Sequence, residues 1–293
     1  MVGGINIMKG ILLAGGKGSR LYPATSVLSK HLINIYDKPM IYYSLAVLLK
    51  AGIRDMLIIS MERDRQLYQN LLGDGKKYGI NISYAIQDEP KGIAEAFLIG
   101  KDFIGHDSVC LVLGDNVFFG KDFDKAIAKC AKLKEGAFIF GCKVKDPERY
   151  GVVKFDANNK VLGIMEKPKE YISDIAVAGV YFYDNSVVDI ASNLIPSARG
   201  ELEITDVNNE YLKRDALYLH VLENEVKWLD TGTSDSLKEA VDCIAEYEKK
   251  TGRLIACLEE IAYTQGNISK NELQAELSDM PDCEYKNYLS GLV

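Results

Sequence analysis

The chain has 293 residues, 47% of them hydrophobic and 26% charged, and a formal net charge of -7, a length that allows one large α/β domain with a substantial core. The acidic balance argues against a general nucleic-acid binder, which needs a basic face. No apolar run approaches the roughly 18 residues of a membrane span, and Met1 to Met8 lacks the basic start and long apolar stretch of a secretory signal, with Met8-Lys9 a second candidate start.

Ile11-Leu12-Leu13 reads as a buried first strand that runs into Ala14-Gly15-Gly16-Lys17-Gly18-Ser19-Arg20-Leu21. Open α/β sheets hold their ligands at the carboxyl ends of such strands. Glycines at 15, 16 and 18 let successive backbone N–H groups face one concavity, and Lys17 and Arg20 add positive charge. The stretch is not a P-loop, because counting from Gly10 the lysine position holds Gly16. Nor is it a dinucleotide fingerprint, since Leu21 stands where a glycine belongs. An anion cradle of another kind and a plain turn with two solvated cations both fit.

Farther on, Pro39 to Lys50 predicts a helix ended near Gly52, Asp55 to Ser60 a buried strand, and Asp64 to Leu72 a helix stopped by Gly73-Asp74-Gly75. Ile80 to Ile86 is strand-like up to Gln87; Ile93 to Lys101 reads as a helix, and Ser108 to Leu113 as a strand entering Gly114-Asp115-Asn116. This alternation predicts βαβ units around a largely parallel sheet. Ala137 to Lys143, Tyr150 to Phe155, Val161 to Met165 and Val177 to Tyr183 are strands with short connections, so antiparallel pairs are expected there. Helices follow at Ser186 to Leu194 and Ile204 to Lys213, then a strand at Tyr218 to Leu222. From Ser234 the pattern is helical with Pro281 as its one interior break, and the residues after about 250 suit either a solvated bundle or an oligomer or effector interface.

Asp115 and Asp230, the latter in Trp228-Leu229-Asp230-Thr231-Gly232, each stand just past an apolar stretch. Either alone is an ordinary turn residue, but beside a phosphate cradle two carboxylates suit Mg²⁺, which binds one or two of them plus phosphate oxygens and water. Lys167 in Glu166-Lys167-Pro168 and Arg199 in Ser197-Ala198-Arg199-Gly200-Glu201 suit either phosphate cations or surface ion pairs. Gln87 offers a donor and an acceptor together, as reading a nucleobase edge requires. The cysteines at 110, 130, 142, 243, 257 and 283 form no C-x-x-C pair and predict reduced thiols in a cytoplasmic protein. His31, His106 and His220 are too scattered for a zinc site.

Taken in order, these stretches, with Tyr36-Asp37-Lys38-Pro39-Met40-Ile41-Tyr42-Tyr43, Asp146-Pro147-Glu148-Arg149-Tyr150-Gly151-Val152-Val153, Arg199-Gly200-Glu201-Leu202-Glu203-Ile204-Thr205-Asp206 and Ile255-Ala256-Cys257-Leu258-Glu259-Glu260-Ile261-Ala262, resemble the sugar nucleotidyltransferases, and in combination their thymidylyl branch. The resemblance implies a Rossmann-like mixed, largely parallel α/β sheet with helices on both faces, inserted antiparallel sugar-binding strands and a C-terminal helical segment. On that pattern the catalytic domain is 8–250, with a nucleotide part of about 8–120 and a sugar-binding part of about 137–230, followed by 251–293. It also implies Mg²⁺-dependent transfer of thymidylate from dTTP to glucose 1-phosphate, giving dTDP-glucose and diphosphate, in a homodimer or homotetramer serving a deoxysugar route such as rhamnose for polysaccharides.

Carried over by residue, Arg20 and Lys30 hold the triphosphate, with Gly15 and Gly16 close to the nucleotide. Gln87 and Gly92 face the thymine, and Asp115 and Asp230 bind Mg²⁺. Tyr150, Gly151, Glu166 and Gly179 line the sugar; Lys167 and Arg199 take its phosphate. Many relatives have Gln where this chain has His31, which either offers the nucleoside side one hydrogen bond in place of an amide's two groups or is a satisfied turn histidine. The rival activities on this pattern are uridylyl transfer to glucose 1-phosphate and non-catalytic sensing of sugar nucleotides.

Overall fold

The computed structural model describes residues 8–158, 160–223 and 225–293, so the segment 1–7, which precedes the candidate start at Met8, lies outside the described residues. Strands β1 (Met8–Ala14), β2 (Asn34–Ile35), β3 (Lys38–Pro39), β4 (Asp55–Ser60), β5 (Asn81–Ile86), β6 (Ser108–Leu113) and β7 (Asn116–Phe119) build the first half. They are joined by helices α1 (Met40–Lys50), α2 (Glu62–Leu72), α3 (Glu95–Ile99) and α4 (Lys101–Ile104). After α5 (Lys121–Cys130) come β8 (Ala137–Lys143), β9 (Gly151–Phe155), β10 (Val161–Glu166), β11 (Ile175–Tyr183), α6 (Ser186–Ser192), α7 (Ile204–Lys213), β12 (Leu217–Val221) and β13 (Lys227–Asp230). The chain ends in α8 (Ser234–Thr251), α9 (Leu258–Thr264), α10 (Lys270–Asp279) and α11 (Glu284–Ser290).

Nine strands form one sheet whose main path runs β10-β9-β11-β6-β1-β4-β5, with β8 pairing β11 and β12. The β6-β1-β4-β5 portion is parallel; β11 enters antiparallel beside β6 and turns the sheet mixed, as the sequence predicts. Alternate residues of β1 face opposite sides. Leu12 packs into a core under α1, α5 and the C-terminal helices, while Ile11 packs into a second core under α3, α4, α6 and α7. Both faces are thus covered, which a parallel sheet requires. Leu13 pairs with Ile59 on β4 and Leu113 on β6, so the three strands end level and deliver their following loops to one edge.

Some expectations change. The helix expected over 93–101 breaks at Gly100, where a Cβ would stand 2.8 Å from Ile11 Cδ1, and resumes as α4. The C-terminal run has breaks besides Pro281: α8 ends on left-handed Gly252 (φ 66°), and Ala256 is also left-handed (φ 55°). The solvated-bundle reading of that segment is overturned, because Leu258, Ile261, Leu273 and Leu289 are buried in the core beneath α1. The sequence reading assigned no element to α5 or to the β7–β13 pair, which sets Asp230 opposite Asn116. No helix among the described residues is long and apolar enough to cross a membrane.

Candidate active site

The loops leaving β1, β5 and β6 open on a cleft of about 710 Å³. Its glycine turn begins at Gly15, where a Cβ would lie 2.3 Å from Gln87 Oε1, and continues through left-handed Gly16 (φ 92°) and Gly18 (φ 61°). These positions need glycine for contact and for backbone conformation respectively. Arg20 sits beyond them on a short 3-10 turn, its guanidinium so close to Gly232 that a Cβ there would be 2.6 Å from Nη2. Lys17 is exposed and is not among the cleft-lining residues.

Lys30 and Asp115 form an ion pair across the cleft floor. Burial by itself raises the Asp115 carboxyl, but the Lys30 charge and hydrogen bonds from Lys30 and Asn116 outweigh it and hold the group well below the usual carboxylate range. Asp230 moves the other way. Burial first and the negative charge of Asp115 second raise it, against Arg20, Lys30 and Arg149. One carboxylate lies in the turn between β6 and β7 and the other at the end of β13, the first raising the second; a divalent cation would relieve them, and hard oxygen donors suit Mg²⁺. Among the described residues no group of three or more His, Cys, Asp or Glu side chains assembles. With two carboxylates as the donor set, a bound cation would complete its shell with substrate oxygens and water.

Asn116, whose side chain sequence reasoning gave no role, organises this floor. Its Nδ2 donates to Asp115 Oδ1 at 2.9 Å, while its Oδ1 accepts from Trp228 Nε1 at 2.6 Å and from the Gly179 N–H at 3.1 Å. The same oxygen explains Gly179, where a Cβ would approach it to 2.5 Å. His31 is buried, with Nδ1 3.0 Å from Ser29 Oγ and 3.3 Å from the Tyr68 hydroxyl. Burial first, then Lys30, lower its pKa to about 3, so the ring is neutral. It lines the cleft as a satisfied, uncharged wall.

The opposite wall comes from β9, β10, β11 and α7. Glu166 accepts a 2.6 Å hydrogen bond from Thr205 Oγ1, and Gly151 is required because a Cβ there would stand 2.9 Å from that hydroxyl. Tyr150 reaches Asp230 with its hydroxyl at 3.4 Å, and Arg149 lies 3.5 Å from the same carboxylate. Lys167 is exposed at the mouth in a left-handed conformation (φ 44°), its Nζ 3.7 Å from Glu166. Gly92 (φ 106°) packs on the Leu202 backbone, where a Cβ would be 2.3 Å from the carbonyl oxygen.

Apart from Lys17 and Gly18 of the glycine turn, every residue singled out from the sequence as a site residue lines this cleft except Arg199. Arg199, which the sequence allows as a phosphate cation or an ion-paired surface residue, is ion-paired, its Nη2 2.8 Å from Glu203, 3.1 Å from Glu201 and 3.5 Å from Glu166. Three surrounding carboxylates, two of them within a Glu-x-Glu stretch, account for this. Arg149, Thr205, Asn116 and Trp228 went unassigned, although Trp228 and Asn116 flank the two aspartates in sequence and carried a usable signal. A larger groove of about 890 Å³ lies between β10, α6 and α7, but neither the glycine turn nor the aspartate pair lines it.

Residues 9–246 match the family model described as nucleotidyl transferase. The chain is 49% identical over 286 residues to a glucose-1-phosphate thymidylyltransferase of Neisseria gonorrhoeae, covering 98% of this chain and 99% of that one. It is 47% identical over 286 residues to the enzyme of that name from Mycobacterium tuberculosis H37Rv, with the same coverage. A Bacillus anthracis crystal structure assigned as a glucose-1-phosphate thymidylyltransferase, in complex with a sucrose, superposes with a TM-score of 0.75 at 43% identity, covering 80% of this chain and 94% of that one. A UDP-glucose pyrophosphorylase complexed with UDP-glucose superposes with a TM-score of 0.72 at 25% identity, covering 83% and 99%.

Proposed function

The chain belongs to the nucleotidyl transferase family, and on that footing we propose that it is a transferase moving thymidylate from dTTP to glucose 1-phosphate, with release of diphosphate. The observation that carries this reading is convergence: the glycine turn, Arg20, Lys30, Asp115, Lys167 and Asp230, scattered along the sequence, line one cleft. No covalent enzyme intermediate is needed, because the sugar phosphate oxygen is already a nucleophile.

The difficulty is bringing two anions together. Like unit charges about 4 Å apart repel by roughly 4 kcal/mol at an effective dielectric of 20. Arg20 and Lys30 hold the triphosphate over the Gly15-Gly16 turn, and Lys167 takes the sugar phosphate, so the reactants are held in line at the α-phosphorus. Glu166, tied down by Thr205, and the glycine faces of Gly151 and Gly179 seat the sugar beside Tyr150. Arg199 serves this wall by fixing Glu166. Gln87, Gly92 and His31 bound the base. Asp115 and Asp230 would hold Mg²⁺, which when bound would supply charge neutralisation for the phosphates.

The free cysteines support a reducing, cytoplasmic setting. A homo-oligomer, dimer or tetramer, belongs to the same reading, and light scattering would count its subunits. The uridylyl alternative replaces dTTP by UTP, which lacks one methyl on the base, worth only about 1–3 kcal/mol, and adds a 2′-hydroxyl on the sugar, so some use of UTP is expected. The test is diphosphate release with dTTP and UTP crossed against several hexose 1-phosphates, with and without Mg²⁺. Fastest release with dTTP and glucose 1-phosphate, abolished by chelation, is expected; a faster rate with UTP, or none with either, sinks the proposal.

A further inference from the structure

We propose that Glu95 is a positioning residue that fixes which end of the Gln87 amide faces the cleft and thereby selects the nucleobase. This rests on the nucleotidyl-transfer reading and concerns the base side of the same site.

Gln87 follows β5 and is almost wholly buried, yet it lines the cleft. An amide is nearly symmetric in shape but opposite in chemistry at its two ends, so a base reader must be held one way round. Glu95, half-buried on the first turn of α3, does this. Its Oε2 accepts from Gln87 Nε2 at 2.8 Å and from the Lys91 backbone N–H at 3.3 Å. An ionised carboxylate only accepts, so the amide nitrogen must turn toward it. The amide oxygen is then left over the glycine turn, where a Cβ on Gly15 would meet it at 2.3 Å. Among the described residues no donor reaches that oxygen.

An amide fixed this way presents an acceptor, flanked by the second proton of Nε2. That order matches a base edge with a donor at N3 beside a carbonyl, as in thymine and uracil. Cytosine presents the reverse, an acceptor at N3 beside an amino group, and fits only the flipped amide. A site built to make such bonds rejects the wrong edge because its own polar groups are left unpaired.

The test is nucleotide binding to the full chain by calorimetry, without sugar phosphate, so that it does not depend on turnover. The unaltered protein is expected to bind dTTP at least about tenfold more tightly than dCTP, or about 1.4 kcal/mol, and to lose a similar factor with 3-methyl-dTTP, which lacks the N3 proton. Glu95→Gln, whose amide can donate as well as accept, should bring the dTTP to dCTP ratio near one. Glu95→Asp keeps an acceptor-only group and should retain the order of preference. In both variants the KM for glucose 1-phosphate should stay unchanged. Equal binding of dTTP and 3-methyl-dTTP, or a Glu95→Gln protein weakened equally toward dTTP and dCTP, overturns the inference. A chain that prefers dTTP in binding but releases no diphosphate refutes the transferase reading while leaving this one standing.

Discussion

Lys167 faces solvent at the cleft mouth, 3.7 Å from Glu166, and carries no part of the core. Lys167→Ala should therefore raise the KM for glucose 1-phosphate by about tenfold or more, as loss of a charge-assisted contact of about 1.5–3 kcal/mol implies, and leave the dTTP KM near its starting value. Steady-state kinetics with each substrate varied would check this; a change confined to dTTP would misplace the residue. His31 makes a different prediction. Its folded pKa is depressed to about 3 from an ordinary 6.5, so the unfolded chain binds the proton more readily. Stability from keeping the ring neutral is fully present above pH 6.5 and is lost as pH falls toward 3, by at most about 1.4 kcal/mol per unit. Urea unfolding of the protein and of His31→Gln at several pH values should show the shallower acid slope in the variant. Parallel slopes would mean the ring is protonated where it sits.

At the scale of elements, β10 is the edge of the sheet and carries Glu166 and Lys167 at its end. Its backbone is paired on the outer side by a side chain of α7: Asn209 Oδ1 accepts from the Ile164 N–H and Asn209 Nδ2 donates to the Ile164 carbonyl, both at 2.9 Å. The same helix holds Glu166 through Thr205. Asn209→Ala should cost about 1–3 kcal/mol of stability by leaving two backbone groups unpaired. It should also raise the glucose 1-phosphate KM, with dTTP affinity unaltered. An equal loss for both substrates would mean that α7 supports the whole fold and has no special hold on this wall.

For the molecule as a whole, elements whose apolar runs end in turn residues were legible. The limits of β4, β6, β8 and α7 follow directly from stretches such as Asp55 to Ser60 and Ile204 to Lys213. The β7–β13 pair was not, because a four-residue strand has little periodicity and its partner lies more than a hundred residues away in the chain. The cleft was legible as a set of residue types, since glycines, cations and carboxylates announce phosphate chemistry. Its supports were not: Thr205 and Asn116 look like any polar residue until the fold sets them against Glu166 and Asp115. Nor did periodicity show where the last helices go. Leu258, fully buried at the start of α9, joins the core that contains Leu45 and Leu49 of α1, and Leu258→Ala should destabilise the entire chain by about 2–5 kcal/mol. A single, earlier denaturant midpoint seen by both tryptophan fluorescence and circular dichroism would bear this out. Two separate transitions would instead make the C-terminal helices an independent unit.

Helix α1 has a different neighbour on each side. The Ser44 hydroxyl lies 3.0 Å from the carbonyl oxygens of both Leu113 and Asn116, gripping the turn that carries Asp115, while apolar residues of 255–289 complete the core around the helix. The glycine turn and α1 come early in the chain, yet the apolar neighbours that complete the core around this helix come from 255–289, roughly two hundred residues later. A fragment lacking 255–289 would leave that side of α1 uncovered and is expected to aggregate, the usual fate of hydrophobic surface left open in an incompletely made domain.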